Sequence, residues 1–171
     1  MSHLEDVKEF YKGFKQDEFI SEKPSLDTAN ISDERLHLKL ALIAEEFVEL
    51  IEAAYGDKSG AVLKAAWLEA QKLDEGNRDL VEVADALADL DYVENGLAVE
   101  AGIPLDEVFR IVHESNMSKL DENGDPILSD GVTPAAYDGE VKPAGKILKG
   151  PNFFEATPEI EKLLGAKSKK A

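Results

Sequence analysis

The sequence predicts an all-α bundle with an irregular C-terminal arm, on three observations. Leu, Val, Ile and Phe recur at helical spacing through the first two thirds of the chain. Helix-capping residues and glycines punctuate those runs. Five of the seven prolines lie beyond Lys119, at 126, 134, 143, 151 and 158, where the apolar patterning fades. With 171 residues and 43% hydrophobic content, the chain suits one domain over 1–171. Its helical core is expected over 1–119, and a loop-rich arm with a short final helix over 120–171.

The elements follow in order. Val7, Phe10, Tyr11 and Phe14 make a short amphipathic stripe. Ser21 to Asn30 is polar, contains a proline and reads as a loop. A long helix is expected from about Ser32 to Tyr55, ended by Gly56-Asp57, and an Ala-rich one around Trp67 from Ser59 to Leu73, closed by Gly76. Asn77 is a candidate N-cap for a helix reaching about Glu100, with Gly102 as its stop. Pro104 suits the first position of a helix running to about Asn116. Asp121-Glu122-Asn123-Gly124-Asp125 is a turn signal within a hairpin or irregular loop over Lys119–Leu128. Thr157-Pro158-Glu159 reads as cap, first position and acidic first turn of the last helix.

Charge limits the partners. Nineteen Lys and Arg against 36 Asp and Glu leave a formal charge of −17, which repels a nucleic-acid backbone; polymeric DNA or RNA is not the expected partner. A small polyanion is compatible if metal ions invert the local field. Acids interrupt every apolar stretch, so no membrane span is expected, and no signal peptide is evident. The absence of cysteine excludes disulfides, thiolate metal sites and cysteine nucleophiles, and fits a reducing cytoplasm.

The acids themselves are patterned. At about 100° per residue, Glu45, Glu46, Glu49 and Glu52 fall within an arc of roughly 120°. Leu38 and Leu42 occupy the same face one to two turns earlier, and Phe47, Leu50, Ile51 and Ala54 the opposite one. A later helix carries Glu82, Asp85 and Asp89 within an arc of roughly 60°. Like charges so spaced destabilise a helix by a few tenths of a kcal/mol per pair. Two such clusters on mostly apolar helices make sense around a cation, and carboxylates are the ligands that Mg²⁺ and Mn²⁺ prefer. A solvated acidic surface is the competing explanation. A di-iron bundle wants Glu-x-x-His pairs, and His3, His37 and His113 lie outside such positions; His113 reads as an ordinary partly buried residue.

Glu45-Glu46-x-x-Glu49 followed by Glu82-x-x-Asp85 resembles the EExxE…ExxD signature of the all-α nucleoside triphosphate pyrophosphohydrolases, a superfamily that includes MazG, the dimeric dUTPases and phosphoribosyl-ATP pyrophosphohydrolase. Asn116-Met117-Ser118-Lys119 resembles the NMSK segment of MazG-like proteins, and Gly145 to Phe153 their GKVxKGPNY element. Phe14-Lys15 stands where the family often has Phe-Gly, and Phe154-Glu155-Ala156 replaces paired prolines. The resemblance implies a MazG-like bundle in which Glu46, Glu49, Glu82 and Asp85 bind Mg²⁺ (or Mn²⁺). Glu45 would bind a further ion or orient water, making Glu45 and Glu46 the catalytic pair. Asn116, Lys119, Lys146, Lys149 and Asn152 would meet the substrate. The implied reaction converts a nucleoside triphosphate to a monophosphate and pyrophosphate, with house-cleaning of non-canonical (d)NTPs or dUTP among the roles the resemblance offers. Apolar residues on more than one side of 36–55 also suggest a homo-oligomer, and the resemblance points to a dimer or tetramer. A catalytically silent dimerisation or partner-binding module with an acidic cleft is the alternative. Phe153 is left between stacking on a base and anchoring the arm, and Trp67 is assigned to packing.

Overall fold

The computed structural model describes residues 2–27 and 30–169. Among them are six α-helices, α1 (His3–Gly13), α2 (Asp33–Tyr55), α3 (Asp57–Ala70), α4 (Leu80–Ala101), α5 (Leu105–Met117) and α6 (Ala156–Leu164). Short 3-10 turns occupy Asp17–Phe19 and Gln71–Leu73. The only β pairing among the described residues is two isolated antiparallel bridges, Leu128 with Ile147 and Pro134 with Val141. Part of the expected loop over Ser21–Asn30, residues 28 and 29, lies outside the described residues.

Local chemistry sets the ends. Ser32 caps α2, its hydroxyl accepting from the Arg35 N–H at 3.2 Å. Gly56, at φ 98, both ends α2 and starts α3, so α3 begins at Asp57 rather than Ser59. Asp79, not Asn77, caps α4, because its carboxylate accepts from the Val81 and Glu82 N–H groups. Asn77 stays outside the helix, its carbonyl accepting from Arg78. Pro104 is the cap of α5 instead of its first residue, its carbonyl accepting from Glu107 and Val108. Glu155 takes the cap position expected of Thr157, leaving Pro158 in the first turn, where a helix leaves N–H groups without internal acceptors.

Two compact units result. Ser21–Leu87 contains the α2–α3 hairpin, and Met1–Ile20 with Ala88–Ala171 forms the other. In the first, Gly60 lies under the Glu52 side chain, where a Cβ would collide with it. Leu36, Leu40, Trp67 and Ala70 wall a cavity of about 180 Å³ whose rim carries His37, Asp74 and Arg78. Arg78 reaches Asp74 at 2.8 Å and Asp33 at 3.2 Å. In the second unit α1 packs on α5 and α5 on α6. His3 stacks on Phe109 with centroids 3.8 Å apart, and Phe10 stacks on Phe14. Across both units, the buried apolar residues among those described are Phe14, Val48, Ala98 and Ala135.

The segment 119–128 does not close a hairpin on itself. Asp121 accepts from the Asn123 and Asp125 N–H groups in a side-chain-supported turn, and residues 127–129 pair with 145–148 instead.

Candidate active site

Glu45, Glu46 and Glu49 stand on α2, exposed and close enough to interact. Partial burial, then the negative charges of Glu49 and Glu45, hold the Glu46 carboxyl above its ordinary range. Glu52, the fourth acid of the arc, is turned over Gly60. Glu82 and Asp85 are exposed on α4. The chain does not gather Glu46, Glu49, Glu82 and Asp85 into one cluster. Among the described residues, the only trio of Asp, Glu or His ligand atoms all within 4.8 Å of one another belongs to Asp6, Glu9 and His113.

The expected substrate residues behave differently. The end of α5 and the Lys149-Gly150-Pro151-Asn152 segment meet backbone to backbone. The Gly150 N–H donates to the Lys119 carbonyl at 3.1 Å, and a Cβ at Gly150 would lie 2.8 Å from that oxygen. The buried Ser115 hydroxyl donates to the Phe154 carbonyl at 2.8 Å, and the Phe154 N–H donates to Ser118 Oγ at 3.2 Å. This junction brings lysines into mutual range. Burial lowers the proton affinity of Lys119 first; Lys149 adds to the effect, Glu155 opposes it, and Lys146 adds further. Lys119 Nζ donates to Asn116 Oδ1 at 2.6 Å. Lys149 donates to Glu155 at 2.7 Å, with its ammonium 4.1 Å from the Tyr137 ring centroid and 4.4 Å from that of Phe153. Lys146 and Asn152 are exposed. Phe153 lies edge-on to Tyr137, with ring centroids 5.3 Å apart.

Helices in this order, with acidic pairs on the two longest, place the chain among the all-α nucleoside triphosphate pyrophosphohydrolases. The fold matches a 1.78 Å crystal structure from Exiguobacterium sp. 255-15, provisionally named an NTP pyrophosphohydrolase. The TM-score is 0.67 at 25% identity, over 96% of this chain and 95% of that one. The family model for phosphoribosyl-ATP pyrophosphohydrolase matches residues 7–116, nearly two thirds of the sequence. The chain belongs to that family and is a pyrophosphohydrolase, so the silent-bundle alternative falls away. No curated protein matches it.

Lys15 explains one departure noted in the sequence. It is the described non-glycine residue at positive φ, 54°, where the resemblance expects Gly, and its ammonium pairs with Asp125 at 2.6 Å.

Proposed function

We propose that the protein cleaves a nucleoside triphosphate to a monophosphate and pyrophosphate, using Mg²⁺ or Mn²⁺. The observation that carries the reading is the clustering of Lys119, Lys146 and Lys149 in a chain of charge −17. Cations held together at a desolvation cost are suited to polyphosphate oxygens. Asn116, Lys119, Lys146, Lys149 and Asn152 take the phosphate-binding role. Lys149 exchanges Glu155 for phosphate as substrate enters.

Glu46, Glu49, Glu82 and Asp85 are the metal ligands in this reading. Their donor set fits, because it is all oxygen and the crowding that raises the Glu46 pKa is relieved by a cation. A bound ion supplies positive charge against the phosphates and acidifies water. Glu45 orients the attacking water as hydrogen-bond acceptor.

A homodimer or homotetramer is part of the proposal. On α4, Val81, Tyr92 and Val99 are 74%, 80% and 80% exposed, and Phe47 of α2 is 49% exposed. Light scattering at micromolar concentration should find at least twice the chain mass; a monomer refutes the assembly. No described helix is long and apolar enough to cross a membrane. One cytoplasmic catalytic domain over 1–171 completes the reading.

The family name offers phosphoribosyl-ATP as a second substrate, which also carries a triphosphate. The nucleoside triphosphate reading is favoured because the structural match extends over the lysine-bearing arm, beyond the 7–116 span of the family model. The test is a panel of standard and modified (d)NTPs, dUTP and phosphoribosyl-ATP, with pyrophosphate detection. Pyrophosphate from a (d)NTP supports the proposal; turnover of phosphoribosyl-ATP alone selects the second reading. Release of orthophosphate only overturns both.

A further inference from the structure

We propose that Asp6, Glu9 and His113 form a separate site for a Zn²⁺-class transition ion that staples α1 to α5. Asp6 and Glu9 lie one helical turn apart on α1, and His113 projects from α5. One ligand atom of each lies within 4.8 Å of the other two. Ligands on a tetrahedral ion are about 3.4 Å apart, so side-chain adjustments close the set without moving a helix.

A second observation points to the ion. Asp6 is only 9% exposed, and its carboxylate makes no hydrogen bond or ion pair with any described residue. Among the described residues no side-chain oxygen is both fully buried and without a partner, so this carboxylate keeps an edge on solvent by which an ion can enter, and a cation between it and Glu9 offsets their like charge. His113 supplies only part of that offset even when protonated. It already faces Glu9, with Nε2 at 3.5 Å from the carboxylate and its side chain 16% exposed. The helix pair is held on both sides of the trio, by His3 stacked on Phe109 and by Gly13 against Met117. Such rigidity favours a preformed site.

Donor chemistry separates this site from the all-oxygen set. Two carboxylates and an imidazole suit Zn²⁺, Fe²⁺, Co²⁺ or Ni²⁺, whereas Mg²⁺ prefers oxygen ligands and retained water. With three protein ligands, a position remains for water or a fourth donor. Asn116 follows His113 by three residues on α5, so occupancy fixes the helix that presents Asn116 and Lys119.

The test uses the full chain, stripped with chelator, in a Glu49→Gln background so that the acids of α2 do not compete. Calorimetric titration with ZnCl₂ should give one strong site per chain. Melting temperature should rise by roughly 5–10 °C at a hundredfold excess over Kd. Equal Mg²⁺ should do neither. Asp6→Asn and His113→Gln should each weaken Zn²⁺ binding at least tenfold; unchanged affinity in both, or no binding by the parent, overturns the site. A measurement without mutating the trio guards against misfolding. In a His3→Gln/His37→Gln chain, His113 is the sole histidine, and its ring nitrogen resonances should shift on adding Zn²⁺. Resonances that stay put refute the proposal.

Discussion

Replacing Gly150 with Ala perturbs the junction on which the lysine cluster depends. The new methyl would sit 2.8 Å from the Lys119 carbonyl oxygen and closer still to that of Leu120. Both are backbone atoms, so the 149–152 segment has to lift. Overpacking of this kind costs about 1–3 kcal/mol. Three hydrogen bonds cross the junction, from Gly150 N–H, Ser115 Oγ and Phe154 N–H, and losing one adds about 1 kcal/mol. The expected destabilisation is about 2–4 kcal/mol, which for a chain of this size lowers Tm by roughly 4–16 °C. With Lys149 and Lys146 displaced from Lys119, KM for the nucleotide should rise. Scanning calorimetry and steady-state kinetics measure the two effects. Gly145→Ala is the control: its φ of 80° strains any side chain, but nothing lies within 4 Å, so about 1 kcal/mol is expected. A Gly150→Ala protein that melts within 2 °C of wild type at unchanged KM would refute the argument.

The same reasoning extends to other residues. Ser115→Ala removes the donor to the Phe154 carbonyl and should cost about 1–2 kcal/mol by urea denaturation. Asp74 is held well below its ordinary range by Arg78, then by the Gly76 N–H and His37. Its stabilisation is present above its unfolded pKa and lost as pH falls through the depressed folded value, so Asp74→Asn should be less stable at pH 7 and show a flatter acid limb in unfolding midpoints. For Glu46 the sign is opposite: its raised pKa contributes stability below the unfolded value of 4.5, lost as pH rises through the folded one. Glu49→Gln should therefore soften that loss and abolish turnover, both checked by melts from pH 3 to 7 and pyrophosphate release.

The long helices were legible because their signals are local. Ser32, Gly56 and Gly102 sit where cap and stop chemistry demands, whatever the rest of the chain does. The cap of α4 lies two residues beyond Asn77, because Asn77 and Asp79 are both good caps. The choice went to Asp79, with the intervening Arg78 turned onto Asp33 and Asp74. The lysine motifs could be read one by one, but their meeting rests on a glycine approaching a backbone about 30 residues away, which periodicity does not encode. His113 is partly buried, as its sequence context suggested. Its grouping with Asp6 and Glu9 depends on α1 packing on α5, and the sequence carries it only as Asp-x-x-Glu on one helix and a histidine on another.

The order of the two units along the chain also dictates a timetable for folding. α2 and α3 are joined through one glycine, so their pairing closes almost no loop and can form as soon as both are synthesised. α1 packs on α5, which begins at Leu105. At about 5–20 residues per second, α1 emerges roughly 5–20 s before its partner exists. During that interval the apolar stripe of Val7, Phe10, Tyr11 and Phe14 is without its native cover. The nascent chain is thus most exposed to chaperones and to aggregation at its first helix, and moving α1 by circular permutation to follow α6 would shorten that exposure.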